Sequence, residues 1–139
     1  MNETDLAWAA GFIDGDGMMQ VIKVRSHEYS GLSLRLRATG TVRKPLERLQ
    51  GLFGGSIFKA RNGGNQTQPQ WKPIYSWQVT GKRAQNAIKH LQPFLSVREG
   101  QSAVAEVYRF DSKYGHPLTK YIQEECYAQM KILNQRGVA

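Results

Sequence analysis

The chain has one cysteine in 139 residues, Cys126, so it builds no internal disulfide framework and no thiolate zinc site. A lone thiol fits a reducing compartment. No apolar run approaches the roughly 18 residues that a membrane-spanning helix needs. The N-terminus carries neither the basic nor the apolar block of a signal peptide, and Glu3 and Asp5 argue against a transit peptide. The three histidines, His27, His90 and His116, do not form a His-Asn-His nuclease pattern. Gly54-Gly55 and Gly63-Gly64 lack the following Lys-Ser/Thr of a phosphate-binding loop. Acidic residues are also scarce, with 11 against 19 lysines and arginines.

That imbalance leaves a formal charge of +8 and a pI near 9.8. It points to a polyanionic partner, a property shared by nucleic-acid-binding, ribosomal and membrane-surface proteins. Hydrophobic residues make up 40% of the chain, enough for one core in one domain over residues 1–139. The chain reads as intracellular.

Periodicity divides the chain without any linker, repeat or low-complexity tail. Thr4 is placed to cap a helix over Asp5–Asp14. Leu6, Trp8, Ala9, Phe12 and Ile13 form a large apolar stripe on it. Ala7, Ala10, Gly11, Asp14 and Gly15 form a second, small-residue stripe that lets two helices approach backbone to backbone. The period then switches to two. Leu32–Thr39 alternates apolar residues with Ser33, Arg35, Arg37 and Thr39, and Met18–Arg25 is placed to pair with it. A helix with Pro45 in its first turn and Leu46, Leu49, Leu52 and Phe53 inward stops at Gly54-Gly55. Strands over Ser56–Arg61 and Ile74–Thr80 follow, then helices over Lys82–Leu91, Val97–Phe110 and Leu118–Gln135. The order predicts an α+β fold, an antiparallel sheet covered by helices on one face.

Two acids interrupt the small, apolar run Ala9-Ala10-Gly11-Phe12-Ile13-Asp14-Gly15-Asp16-Gly17. Ionised carboxylates avoid such surroundings unless they meet a cation or a hydrogen-bond donor. Capping and turning the helix is the ordinary use of such a pair. The run resembles the LAGLIDADG motif of the homing endonucleases, identical at six of nine positions, with Ala9 and Phe12 replacing Leu and Gly15 replacing Ala. Further along, Leu91-Gln92-Pro93-Phe94-Leu95-Ser96-Val97-Arg98-Glu99-Gly100-Gln101 resembles that family's Leu-x-Pro-Phe-Leu…Lys…Gln segment.

The resemblance implies an αββαββα fold with a four-stranded antiparallel, saddle-like sheet and additional C-terminal helices. It implies site-specific, metal-dependent cleavage of a long double-stranded DNA target. Asp16 and the Gly15 carbonyl take the place of the ligands for Mg2+ or another divalent cation such as Mn2+. Arg98 stands where the family has a catalytic lysine, keeping the charge but offering a planar fork. The family's polar residue after the second strand falls near Gly40, where Thr39, Thr41, Arg43 or Lys44 would substitute. The motif occurs once, which implies a homodimer joined through Ala7, Ala10, Gly11, Asp14 and Gly15, with a roughly palindromic target. Family members are intron-encoded in organelles (mitochondrion or chloroplast) and in archaeal and other cytoplasms.

Candidate DNA-contacting residues are Gln20, Lys23, Arg25, Tyr29, Ser33, Arg35, Arg37, Lys59, Arg61, Asn62, Gln70, Lys72, Ser76 and Gln78. Arg and Lys suit guanine in the major groove and Gln suits adenine. An eight-residue strand covers about 26 Å, or roughly eight base pairs. The first strand leaves its phase open. Counting from Asp16 turns Gln20, Ile22 and Val24 outward, so Lys23 and Arg25 reach DNA only through a bulge or from the sheet edge. Two other functions fit the same surface: an RNA-binding intron maturase, and a DNA-binding regulator that does not cleave.

Overall fold

The computed structural model describes residues 1–25, 30–61, 72–110 and 117–135. Its first helix, α1 (Glu3–Asp16), is capped by Asn2, whose Oδ1 accepts from the Asp5 amide at 2.8 Å. The cap therefore lies two residues before Thr4, and the helix runs two residues past Asp14. It stops at Gly17, whose amide donates to the Ile13 carbonyl. A Cβ at Gly17 would sit 2.7 Å from the Ile13 Cα, so only glycine lets the chain turn from helix to strand this tightly.

β1 (Gly17–Arg25) and β2 (Ser30–Gly40) pair antiparallel in an unbroken register from Gly17 opposite Ala38 to Arg25 opposite Ser30. α2 (Arg43–Phe53) follows and buries Leu46, Leu49 and Phe53. Each of these contributes roughly 1.5–3 kcal/mol of apolar burial. Gly54 and Gly55, with φ of 75° and 93°, end the helix. At Gly55 a Cβ would meet the Gln78 carbonyl at 2.4 Å, and the Gly54 carbonyl accepts from Trp77 Nε1 at 2.8 Å. β3 (Ser56–Arg61) and β4 (Ile74–Thr80) complete a four-stranded sheet of order β1-β2-β4-β3, antiparallel at every pairing. This is the predicted α+β, αββαββα architecture.

The helices lie against one face of that sheet. α3 (Gly81–Leu91) packs on β2, and α5 (Pro117–Leu133) packs on β1. A short 3-10 turn over Gln92–Phe94 leads to α4 (Glu99–Val107). α4 is shorter than its apolar pattern predicts because both ends are claimed by side chains elsewhere. The Ser96, Val97 and Arg98 amides turn to Asp14, and Gln85 Nε2 donates to the Ala105 and Tyr108 carbonyls at 3.0 and 2.8 Å. Asn134 Nδ2 donates to the Met19 carbonyl at 2.8 Å and fastens the end of α5 to β1. The core joins Ala9, Ala10 and Ile13 of α1 to Met19, Leu34, Leu36, Trp77 and Val79 of the sheet and to Ile88, Leu91 and Met130 of the covering helices. Cys126 is part of it, and burial raises its thiol pKa.

Candidate catalytic helix end and nucleic-acid interface

The two acids of the glycine-rich run have opposite surroundings. Asp14 is half-buried and collects three backbone amides: Ser96 N donates to Oδ2 at 2.7 Å, and Val97 N and Arg98 N each donate to Oδ1 at 3.0 Å. One carboxylate thus fixes a segment 82 to 84 residues away in sequence. Asp14, expected at the dimer seam, has both its oxygens engaged within the chain. Charge-assisted bonds of this kind contribute more than neutral ones.

Asp16 is exposed and makes no hydrogen bond or ion pair among the described residues. It closes a helix whose last turn carries no basic residue. The macrodipole makes that end attractive to a cation and unfavourable for an unaccompanied acid. The last carbonyls of a helix also have no intrahelical donor, which suits the Gly15 carbonyl to a metal. No cluster of three His, Cys, Asp or Glu side chains that could hold a metal exists among the described residues. One chain therefore supplies one carboxylate and main-chain oxygens, a set that fits a hard, largely hydrated ion sharing its remaining positions with phosphate oxygens.

Arg98 is brought to this end of α1 through its own amide on Asp14. Its side chain is half-buried, and Nε is buried with no hydrogen-bond partner. The two sequence segments that carry the resemblance therefore meet in space, and Asp14 joins them. Arg43 is occupied elsewhere, bonded to Glu47 at 3.0 Å and lying over the Tyr75 ring. Thr39 remains on the outer sheet face beside the start of β1.

The small-residue stripe divides. Ala10 is fully buried in the chain's own core and leaves the predicted seam. Ala7, Gly11 and Gly15 are exposed, and a Cβ on either glycine would meet nothing within 4 Å. Trp8 and Phe12 are only half-buried, their rings 5.6 Å apart, with the Arg48 guanidinium 4.0 Å from the Trp8 ring.

Cross-strand partners share a sheet face, so the register assigns every predicted contact. The face away from the helices holds Gln20, Ser33, Arg35, Arg37 and Gln78 as expected. Ser76 lies on this face but is fully buried, accepting from Arg37 Nε at 2.9 Å, and so supports that arginine without reaching a ligand itself. Lys23 does not reach this face. The regular β1 register sends it to the helix side, 5.5 Å from the centre of the Tyr127 ring. Arg25 ends β1 opposite Ser30, with no bulge to shift its phase. Lys59 pairs with Tyr75 on the helix side of the edge strand, and a register shift between Lys59 and Arg61 then returns Arg61 to the outer face opposite Ile74. Arg61 donates to the carbonyl of Lys72, whose own side chain is exposed. Tyr29, Asn62 and Gln70 lie outside the described residues.

The structure adds Phe58 to the outer face. It is 41% exposed and lies opposite Ser76. Its signal was the alternation of Ile57 and Trp77, which fixes the phase of β3 once the pairing is known.

No protein-family model matches the chain, and no curated protein matches it. Among solved structures it is similar to the homing endonuclease I-CvuI in complex with the I-CreI target in the presence of 2 mM Mg, with the DNA not cleaved. That likeness has a TM-score of 0.68 at 22% identity, covering 99% of this chain and 89% of that one. It is also similar to the archaeal intron-encoded homing endonuclease I-Vdi141I complexed with DNA, with a TM-score of 0.68 at 16% identity and coverage of 98% and 87%. A third likeness is to the meganuclease I-SmaMI bound to uncleavable DNA, with a TM-score of 0.65 at 22% identity. It covers 96% of this chain but only 46% of that one. The chain therefore has the fold of the LAGLIDADG homing endonucleases. Its length corresponds to most of I-CvuI and I-Vdi141I and to about half of I-SmaMI.

Proposed function

We propose that the protein is a site-specific endonuclease of the homing type, cutting both strands of a long, roughly palindromic DNA site as a homodimer. The observation that carries this reading is the end of α1, where Asp16 is exposed without a partner among the described residues and Asp14, two residues before it, clamps the backbone of Arg98. Three features support the DNA partner: the excess of cations, the arginine-bearing outer sheet face, and the fold shared with endonucleases solved on DNA.

In this reading Asp16 and the Gly15 carbonyl would hold a divalent cation, Mg2+ or Mn2+. The cation supplies a more acidic bound water and charge neutralisation at the phosphate. Arg98 offers its guanidinium N–H groups to the phosphate as negative charge builds. Asp14 keeps Arg98 in place without touching the substrate. Ala7, Gly11 and Gly15 form the face along which a second copy brings its own Asp16 close, so that one twofold axis generates two cuts. The exposed arginines and lysines hold the duplex, the arginines within the sheet reading its bases.

Incubation with a randomised plasmid library and Mg2+ tests this. Linear product at one site, lost with chelator and in Asp16→Asn, is the expected outcome. Tight binding of a palindrome without cutting by the unmodified protein would convert the reading to a regulator. Preference for a structured intron RNA over any duplex would convert it to a maturase.

A further inference from the structure

Arg35 and Arg37 are each held from one side by a neighbour in their own chain. Arg35 Nε donates to Gln20 Oε1 at 3.1 Å, and its Nη2 donates to the same oxygen. Gln20 is directly opposite Arg35 on β1. Arg37 Nε donates to Ser76 Oγ on β4 at 2.9 Å, and Ser76 is fully buried beneath the face. No acid pairs with either arginine among the described residues, where the ion pairs are Arg43–Glu47 and Arg48–Asp5. Burial, and secondarily the charge of Arg37, lower the pKa of Arg35, so two cations share one face without a counter-ion.

These contacts decide how a partner is approached. A guanidinium has a side edge, Nε with one terminal nitrogen, and an end edge formed by both terminal nitrogens. With Nε taken, only the end edge of each remains for bidentate bonding. Guanine presents O6 and N7 as a matching pair of acceptors in the major groove. Phosphate also accepts a bidentate arginine, but these two residues sit half-buried on β2, an inner strand, between Gln20 and Ser76. The exposed Arg61 and Lys72 at the β3–β4 edge are better placed for the backbone. Two residues along a strand span about 6.7 Å, which is roughly two base-pair steps.

We propose that Arg35 and Arg37 are two pre-set guanine readers about two base pairs apart in each half of the target, with Gln20 and Ser76 as their positioning residues. This rests on the reading of the chain as a sequence-specific DNA-binding enzyme. Ser33 and Gln78 then contribute adaptable contacts around a rigid pair.

Selection of bound duplexes from a randomised library in Ca2+, with the full chain, tests it. The expected consensus has two guanines at that spacing in each half-site. Arg37→Gln is expected to change one guanine to adenine, with a shift in preference of about five-fold or more. Arg35→Gln does the same at the other position. Ser76→Ala should relax discrimination at the Arg37 base alone, and Gln20→Ala at the Arg35 base alone, with unfolding midpoints confirming that each variant is folded. A merely structural role for Gln20 and Ser76 would lower affinity for all sites evenly. An enriched site without the paired guanines would overturn the assignment while leaving the DNA reading intact. So would arginine variants that weaken every duplex alike and flatten the salt dependence, since that marks phosphate contact. Failure to enrich any duplex overturns the DNA reading and this assignment with it.

Discussion

The end of α1, with its two carboxylates, and the outer face of the sheet, with its arginines, are assembled in different ways. At the helix end Asp14 reaches the Ser96–Arg98 amides, so the arrangement depends on contacts across more than 80 residues. On the sheet face, Gln20 and Arg35 are simple cross-strand neighbours, and Arg37 and Ser76 sit one step off that pairing. The first is a single clamp on which the placement of Arg98 depends. The second is a repetitive surface in which each contact stands nearly alone. Loss of one member should therefore disable the first region and merely retune the second.

The largest expected effect comes from Asp16→Asn. It should abolish cleavage while leaving folding stability unchanged or raised by about 0.3–1 kcal/mol, because it removes an acid from the negative end of a helix. Denaturant unfolding beside a cleavage assay checks both halves, and a large loss of stability would contradict the exposed position of Asp16. Gly17→Ala comes next, with an expected cost of about 1–3 kcal/mol or more, because its Cβ collides with the Ile13 backbone. Asp14→Ala removes the acceptor of three amides and should cost on the order of 2–3 kcal/mol. Asp14→Asn keeps one carbonyl oxygen, so it should fold better while its cleavage rate falls more than its DNA affinity. If turnover at saturating DNA stays at the unmodified level, Asp14 does not position Arg98.

Gly11 makes the opposite prediction to Gly17. Gly11→Ala should stabilise α1 by up to about 1 kcal/mol in the isolated chain, since nothing lies near its Cβ. The bulkier Gly11→Gln should leave the chain folded and shift sedimentation toward the monomer. A dimer that survives that change unaltered removes α1 from the seam. The smallest effect is expected at the exposed Arg43–Glu47 pair, where Glu47→Gln should change stability by less than about 0.5 kcal/mol.

Much of the architecture was legible because local pattern dictated it. The alternation of β2 and the boundaries of β3 and β4 agree with the residues that signal them. So does the glycine stop after α2, where positive φ and a close approach to Trp77 both require glycine. Errors fell at helix ends, where another partner, near or distant, overrode the expected one. Asn2 takes the cap from Thr4, and Asp14 draws Ser96–Arg98 out of α4. The phase of the sheet surface was legible only in part. Lys59 and Arg61 share a parity in sequence, but a register shift puts them on opposite faces. Lys23 belongs with the helices because β1 has no bulge.

By itself the sequence determined the order of elements, the excess of basic residues and the presence of two acids where the first helix gives way to a strand. These follow from periodicity, composition and the chemistry of single side chains. Only the tertiary structure decided that one acid is satisfied and its neighbour is left open. It also decided that Ala10 belongs to the core while Gly11 faces outward, and that Gln20 and Ser76 hold two arginines by their inner edges. The reason is physical. Hydrogen-bond partners and burial are properties of groups brought together from far along the chain, and no local pattern of residues encodes which groups those will be.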